Sequence, residues 1–136
     1  MTRFVVDASV ALAWIFDDES NEYAESILRS LKIRSCVVPA HWALEVTNSL
    51  LFAERKGRIT TADSTRGLVL LDGLPISMDG LTAEKARTQT LALARTHRLT
   101  VYDAAYLELS LREGLALATL DSDLLAACQQ VGCKIS

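Results

Sequence analysis

Most residues that announce a function are scarce in this sequence. Three cysteines (Cys36, Cys128, Cys133) occur in 136 residues, with no Cys-x-x-Cys spacing. That argues against a disulfide framework or a zinc site and fits a reducing, cytoplasmic setting. The two histidines, His41 and His97, read as surface or helix-end residues, and no serine or cysteine is paired with either as an activated nucleophile. With two prolines and six glycines there is no linker, repeat or low-complexity stretch. No apolar run is long enough to cross a bilayer, and Arg3 and Asp7 interrupt the start too early for a secretory signal. Positive charge is lacking too. The net charge is −3 and the sequence pI about 5.3, so no global field attracts nucleic acid. That exclusion is weak, because a bound cation would reverse the sign around clustered carboxylates.

What the chain has is apolar residues in alternating β and α patterns. Half of it is hydrophobic and 23% is charged, the balance of a globular protein of one domain's size, here the whole of 1–136. Residues 3–6 and 36–38 read as buried strands, and 75–78, 116–120 and 133–135 as further strands. Helices are expected over 8–16, 21–31 (with Ser20 as a possible cap), 40–56 ending at Gly57, 60–72, 82–97, 100–114 and 122–131. Strands separated by helices imply right-handed crossovers and an α/β fold. Its short, mostly parallel sheet is flanked by helices in three α/β/α layers.

Four acids interrupt the most apolar stretches. Asp7 ends Phe4-Val5-Val6, Glu45 sits within Trp42-Ala-Leu-Glu-Val46, Asp103 follows Val101-Tyr102, and Asp121 closes Leu117-Ala-Thr-Leu120. Burying a carboxylate without a partner costs several kcal/mol. Asp7 and Asp121 fall at strand ends, the edge where open parallel sheets gather ligands, and Asp103 and Glu45 can reach that edge from their helices. Singly, helix capping accounts for Asp103, Asp121 and especially the neighbouring Asp123. Glu45 gains nothing obvious from capping, and four coincidences at one sheet edge favour a shared divalent cation held by oxygen.

Val6-Asp-Ala-Ser-Val10, Trp42-Ala-Leu-Glu-Val-Thr-Asn48, Thr100-Val-Tyr-Asp-Ala-Ala-Tyr106 and Thr119-Leu-Asp-Ser-Asp-Leu124 resemble the successive motifs of PIN-domain ribonucleases, most closely the VapC-type toxins of toxin–antitoxin pairs. The resemblance covers nearly the whole chain in order. It implies a PIN-like fold and an endoribonuclease toxin that hydrolyses RNA. Asp7, Glu45, Asp103 and Asp121 would be the catalytic acids binding Mg²⁺ or Mn²⁺, with Asp123 as an auxiliary metal acid. Ser9, Asn48 and Thr119 would support them by hydrogen bonding. It also implies a cognate antitoxin and a homodimer. Apolar residues in the first helices (Trp14, Ile15, Phe16, Tyr23, Ile27, Leu28) exceed what one sheet face needs and are expected to serve such contacts.

Other classes fit less well. A haloacid-dehalogenase-type phosphatase needs a second Asp two residues after the first, where Ser9 stands. A receiver domain wants an adjacent acidic pair and a late lysine. The remaining alternative is a non-catalytic or differently specialised metal-binding phosphotransfer or interaction domain, which the intact acidic set opposes. For RNA docking, Arg55, Lys56 and Arg58 read as a helix-end cluster, whereas Arg95, His97 and Arg98 read equally well as structural or as functional.

Overall fold

The computed structural model describes residues 2–136. In chain order the elements are β1 (Thr2–Val6), α1 (Ala8–Ile15), a 3₁₀ turn (Asp17–Glu19), α2 (Glu22–Ser30), β2 (Arg34–Val38), α3 (Trp42–Arg55) and α4 (Thr61–Asp72). Then come β3 (Ile76–Met78), α5 (Thr82–Lys85), a π-helical segment (Ala86–Thr90), α6 (Leu91–His97), α7 (Val101–Glu113), β4 (Ala116–Ala118) and α8 (Ser122–Gln130). The strands form one parallel sheet in the order β3-β2-β1-β4.

β1 lies inside the sheet, so Phe4, Val5 and Val6 are fully buried although they are consecutive. Their alternation divides the core. Phe4 and Val6 face α1 and α2, packing with Val10, Ala13, Ala24 and Ile27. Val5 faces α7 and α8, with Tyr106, Leu107, Leu124 and Ala127. A third cluster joins α1 to α3 and α4 through Phe16, Val46, Leu50 and Leu71. There α4 approaches so closely that a β-carbon on Gly67 would stand 2.7 Å from Ile15 Cγ2. Gly67 is the residue that permits this contact.

Several boundaries differ from the sequence reading for local reasons. Asn21, not Ser20, caps α2, because its side chain is the one that accepts the Ala24 N–H, at 2.8 Å. The helix expected over 82–97 is three segments, and it ends where Arg98 adopts φ +55 and the Leu99 N–H closes on the Ala94 carbonyl. The final strand shrinks to one bridge, Leu117 with Ile135. Gly57 does take a left-handed φ of +71 after α3, letting the Arg58 N–H reach the Ala53 carbonyl at 2.9 Å. No helix among the described residues is long and apolar enough to cross a membrane.

The apolar residues of the first helices are largely packed, with Trp14, Ile15 and Phe16 also lining a surface groove. Phe16 and Ile27 are buried, and Trp14, Ile15, Tyr23 and Leu28 are part-buried. Trp14 donates to the Ala24 carbonyl and Tyr23 to that of Ser136. The strongly exposed apolar side chains lie elsewhere, notably Leu44, Phe52 and Tyr102.

A buried ion network fixes α7. Arg112 makes a two-pronged contact with Asp79 (2.7 and 3.1 Å) and a second with Glu108 (2.8 and 3.1 Å). The guanidinium holds the Asp79 carboxyl below its usual range. This ties the helix bearing Asp103 to the segment that leaves β3.

Candidate active site

Strand register builds the first half of the site. Val6 pairs with Ala118, so Asp7 and Thr119 leave adjacent strands side by side. Because β2 lies on one side of β1 and β4 on the other, this is also the switch point of the sheet, where ligand crevices form.

Asp7 is almost fully buried and is the N-cap of α1. Its Oδ1 accepts from the Ser9 hydroxyl at 2.6 Å and the Val10 N–H at 3.2 Å, and Thr119 Oγ1 donates to Oδ2. The two hydroxyls are themselves placed by the chain after β4. Ser9 Oγ accepts from the Leu120 N–H and Thr119 Oγ1 from the Asp121 N–H, each at 3.0 Å. Burial raises the Asp7 carboxyl above its ordinary range, these hydrogen bonds oppose that, and Asp121 adds to it.

Asp121 caps α8, its Oδ1 accepting from the Leu124 N–H at 2.9 Å. Capping is thus real for both strand-end acids, yet it occupies only part of each carboxylate. An ionised carboxylate offers about four acceptor positions. Asp7 uses three, and Asp121 uses one.

Two Thr-x-x-Asp sequences separate capping from site-building. At the start of α4, Thr60 and Asp63 form a reciprocal capping box. At the start of α7, Thr100 accepts from the Asp103 N–H at 3.1 Å, but the Asp103 carboxylate does not reach back and accepts no hydrogen bond among the described residues. Instead it faces the other acids. Burial, then Asp121, Glu45, Asp7 and Asp123 in that order, push the Asp103 carboxyl up to about 6.

Glu45 enters from the first turn of α3. Tyr106 of α7 donates its hydroxyl to Oε1, and His41 Nε2 stands 3.4 Å from that same oxygen. Oε2 is left free. Neither Tyr106 nor His41 was picked out as a site residue from the sequence. The usable signals were spacing: Tyr106 lies three residues beyond Asp103 and His41 four before Glu45, so each shares a helix face with an acid.

The remaining expectations fall at the periphery. Asp123 is exposed on α8 but contributes to the field at Asp103. Asn48 is exposed on α3 and makes no side-chain hydrogen bond among the described residues. Arg58 is held by Asp18 and Glu19, at 2.7 and 2.6 Å, and lies over the Phe16 ring. The helix-end basic cluster is thereby tied to the 3₁₀ turn. Arg95 and Arg98 stay exposed without an ion pair among the described residues, while His97 contacts Gln130 at 3.1 Å.

Five acids therefore act on one sheet edge, yet among the described residues no three acidic, histidine or cysteine side chains form a ready-made metal cage. The two facts are compatible. Coulomb fields extend over several ångströms, whereas cage oxygens must each approach a cation within roughly 2.0–2.6 Å. Assembling a cage would require these side chains to rotate toward one another. The donor set fits a hard divalent cation: every candidate ligand is a carboxylate with at least one unused position, and no cation is among the groups acting on Asp103.

The PIN domain family matches residues 4–129. A protein of Pyrobaculum aerophilum named Ribonuclease VapC3 is 30% identical over 123 residues, which is 90% of this chain and 92% of that protein. A Mycobacterium tuberculosis protein of the same name is 30% identical over 125 residues, 92% of this chain and 87% of its own length. In three dimensions the crystal structure of PAE2754 from Pyrobaculum aerophilum is similar with a TM-score of 0.69 at 26% identity, covering 93% of this chain and 84% of that one.

Proposed function

The chain belongs to the PIN-domain family, and from that premise we propose that it is a Mg²⁺- or Mn²⁺-dependent endoribonuclease, the toxin of a type II toxin–antitoxin pair, working in the cytoplasm as a single nuclease domain over 1–136. The observation that carries this reading is geometric: at the switch point of the sheet Asp7 and Asp121 leave neighbouring strands with acceptor positions unused, and the Asp103 carboxylate accepts no hydrogen bond among the described residues.

Asp7, Glu45, Asp103 and Asp121 would hold the cation, with Asp123 at the rim. Its chemistry, when bound, is Lewis-acid neutralisation of phosphate charge and activation of water for phosphodiester hydrolysis. The chain's own residues do the positioning. Ser9 and Thr119 orient Asp7, the α8 cap orients Asp121, and Tyr106 engages Glu45. Asn48, exposed beside Glu45 in a trough with His41 and Tyr102, would support the acids by hydrogen bonding once the cation and RNA are bound. Incubating the purified protein with RNA should give internal cleavage with Mg²⁺ and none after chelation. Cleavage that persists in excess chelator would remove the metal-dependent mechanism.

Two partners follow from surfaces. A groove of about 550 Å³ is lined by Trp14, Ile15, Phe16, Ile59 and Leu70, with Asp17, Arg58 and Arg66 on its rim. It suits an amphipathic antitoxin helix. The homodimer contact belongs to the exposed face of α3 and α7 around Leu44, Val101 and Tyr102. Light scattering at micromolar concentration should give a dimer, and a monomer would remove that half of the reading.

A further inference from the structure

Three of the four principal acids are set by backbone: Asp7 and Asp121 cap helices at strand ends, and Asp103 sits in the first turn of α7. Glu45 is different. Its longer side chain projects from α3 and meets the others only if its torsions are held. What holds it comes from the opposite layer. Tyr106 donates its hydroxyl to Glu45 Oε1, and its ring is buried among Val5, Val37 and Leu107, so core packing sets the position of the donor. His41 completes the clamp. Its ring packs edge-on to Tyr106 with centroids 5.2 Å apart, and its Nε2 lies 2.9 Å from the Tyr102 carbonyl and 3.4 Å from Oε1. A carbonyl only accepts, so Nε2 carries a hydrogen and donates it to Tyr102, which fixes the ring against Tyr106 and beside Oε1. Tyr106 thus engages Oε1, and among the described residues no hydrogen bond reaches Oε2.

We infer that Tyr106 is a positioning residue that aims Glu45 Oε2 at the cation site, an inference resting on the metal-dependent reading above. One turn of α7 then carries a ligand, Asp103, and the group that orients another. A carboxylate fixed in this way loses less conformational freedom on binding metal, and groups of this kind typically change metal affinity or activity by about 10–100-fold.

The test is a Mn²⁺ titration read by the paramagnetic signal of the free ion, on the parent, Tyr106→Phe, Glu45→Gln and the double variant. Tyr106→Phe keeps the ring and removes only the hydroxyl. It should bind Mn²⁺ about tenfold more weakly, while adding it to Glu45→Gln should cause no further loss. The Mg²⁺ needed for half-maximal cleavage should rise by the same factor, with the rate recovering at saturating Mg²⁺. A merely structural tyrosine would lower the melting temperature and leave Mn²⁺ affinity unmoved, which overturns the inference. So would an equal loss in the Glu45→Gln background. A parent that binds no Mn²⁺ overturns the functional reading and the positioning role together, whereas binding by parent and Phe variant alike overturns the positioning role alone.

Discussion

Induced expression of the parent chain should arrest growth, and expression of Asp7→Asn should not. In a cleavage assay the variant should lose on the order of 10²–10³-fold in rate, the scale seen when one preorganised electrostatic contact at a reacting phosphate or acyl centre is removed. The substitution is conservative in every other respect. Asn caps a helix as well as Asp does, so the Val10 N–H keeps an acceptor. The Asn oxygen can take the place of Oδ1, which already accepts from Ser9 and Val10. Its amide then faces Thr119, whose hydroxyl can turn to accept. The change removes a buried charge raised above its ordinary range by desolvation, so the folded state loses nothing and the metal-free protein should melt no lower. Loss of activity with retained stability is therefore the signature of a ligand. Equal arrest by both proteins would remove Asp7 from the chemistry.

The second large effect concerns Asp103. A cation that binds only the folded protein stabilises it by about 2.7 kcal/mol at a hundredfold excess over Kd, several degrees in a domain this small. The parent should show this rise in melting temperature with Mn²⁺ or Mg²⁺, and Asp103→Asn should lose most of it. The Thr100 cap is untouched, because its bond is to the backbone N–H of residue 103 and not to the carboxylate. A pure capping role predicts the reverse: no metal effect in the parent and a variant weakened by about 1–2 kcal/mol.

Acidity gives an independent check on the same residue. The Asp103 carboxyl stands at about 6 when folded, against an ordinary 3.8, so the folded state binds its proton more tightly. Its contribution to stability is therefore fully present below about 3.8 and is lost as pH rises through about 6. Without metal, the parent should gain stability relative to Asp103→Asn on acidification across that window. A constant difference between the two proteins from pH 4 to 7 would contradict the shared acidic field.

The strands and helices were legible because apolar period and end signals are local. Phe4-Val5-Val6 reads as a short buried strand, Gly57 and Gly114 supply left-handed stops, and Thr60 and Thr100 supply caps. Where two polar residues competed for one role, the sequence was silent. Ser20 and Asn21 are both good caps, and only the backbone path decided for Asn21. The arginine cluster after α3 likewise looked like a helix-end effect, since its acidic partners at 18 and 19 lie some forty residues away.

The acids divide the same way. That Asp7, Glu45, Asp103 and Asp121 interrupt apolar runs is written in the sequence, because a carboxylate in such a setting requires compensation. Whether each is a cap, a ligand or both is not written there. Thr60-Thr-Ala-Asp63 and Thr100-Val-Tyr-Asp103 carry the same local signal, yet one closes on itself and the other opens toward four more acids. The pairing of Val6 with Ala118 brings Thr119 to Asp7, and the packing of α7 across the sheet brings Tyr106 to Glu45 sixty-one residues away. Sequence determined which residues are costly to bury, since that depends on the side chain alone. Tertiary structure decided which partners relieve the cost, since hydrogen bonds and Coulomb fields act over a few ångströms of space regardless of separation along the chain.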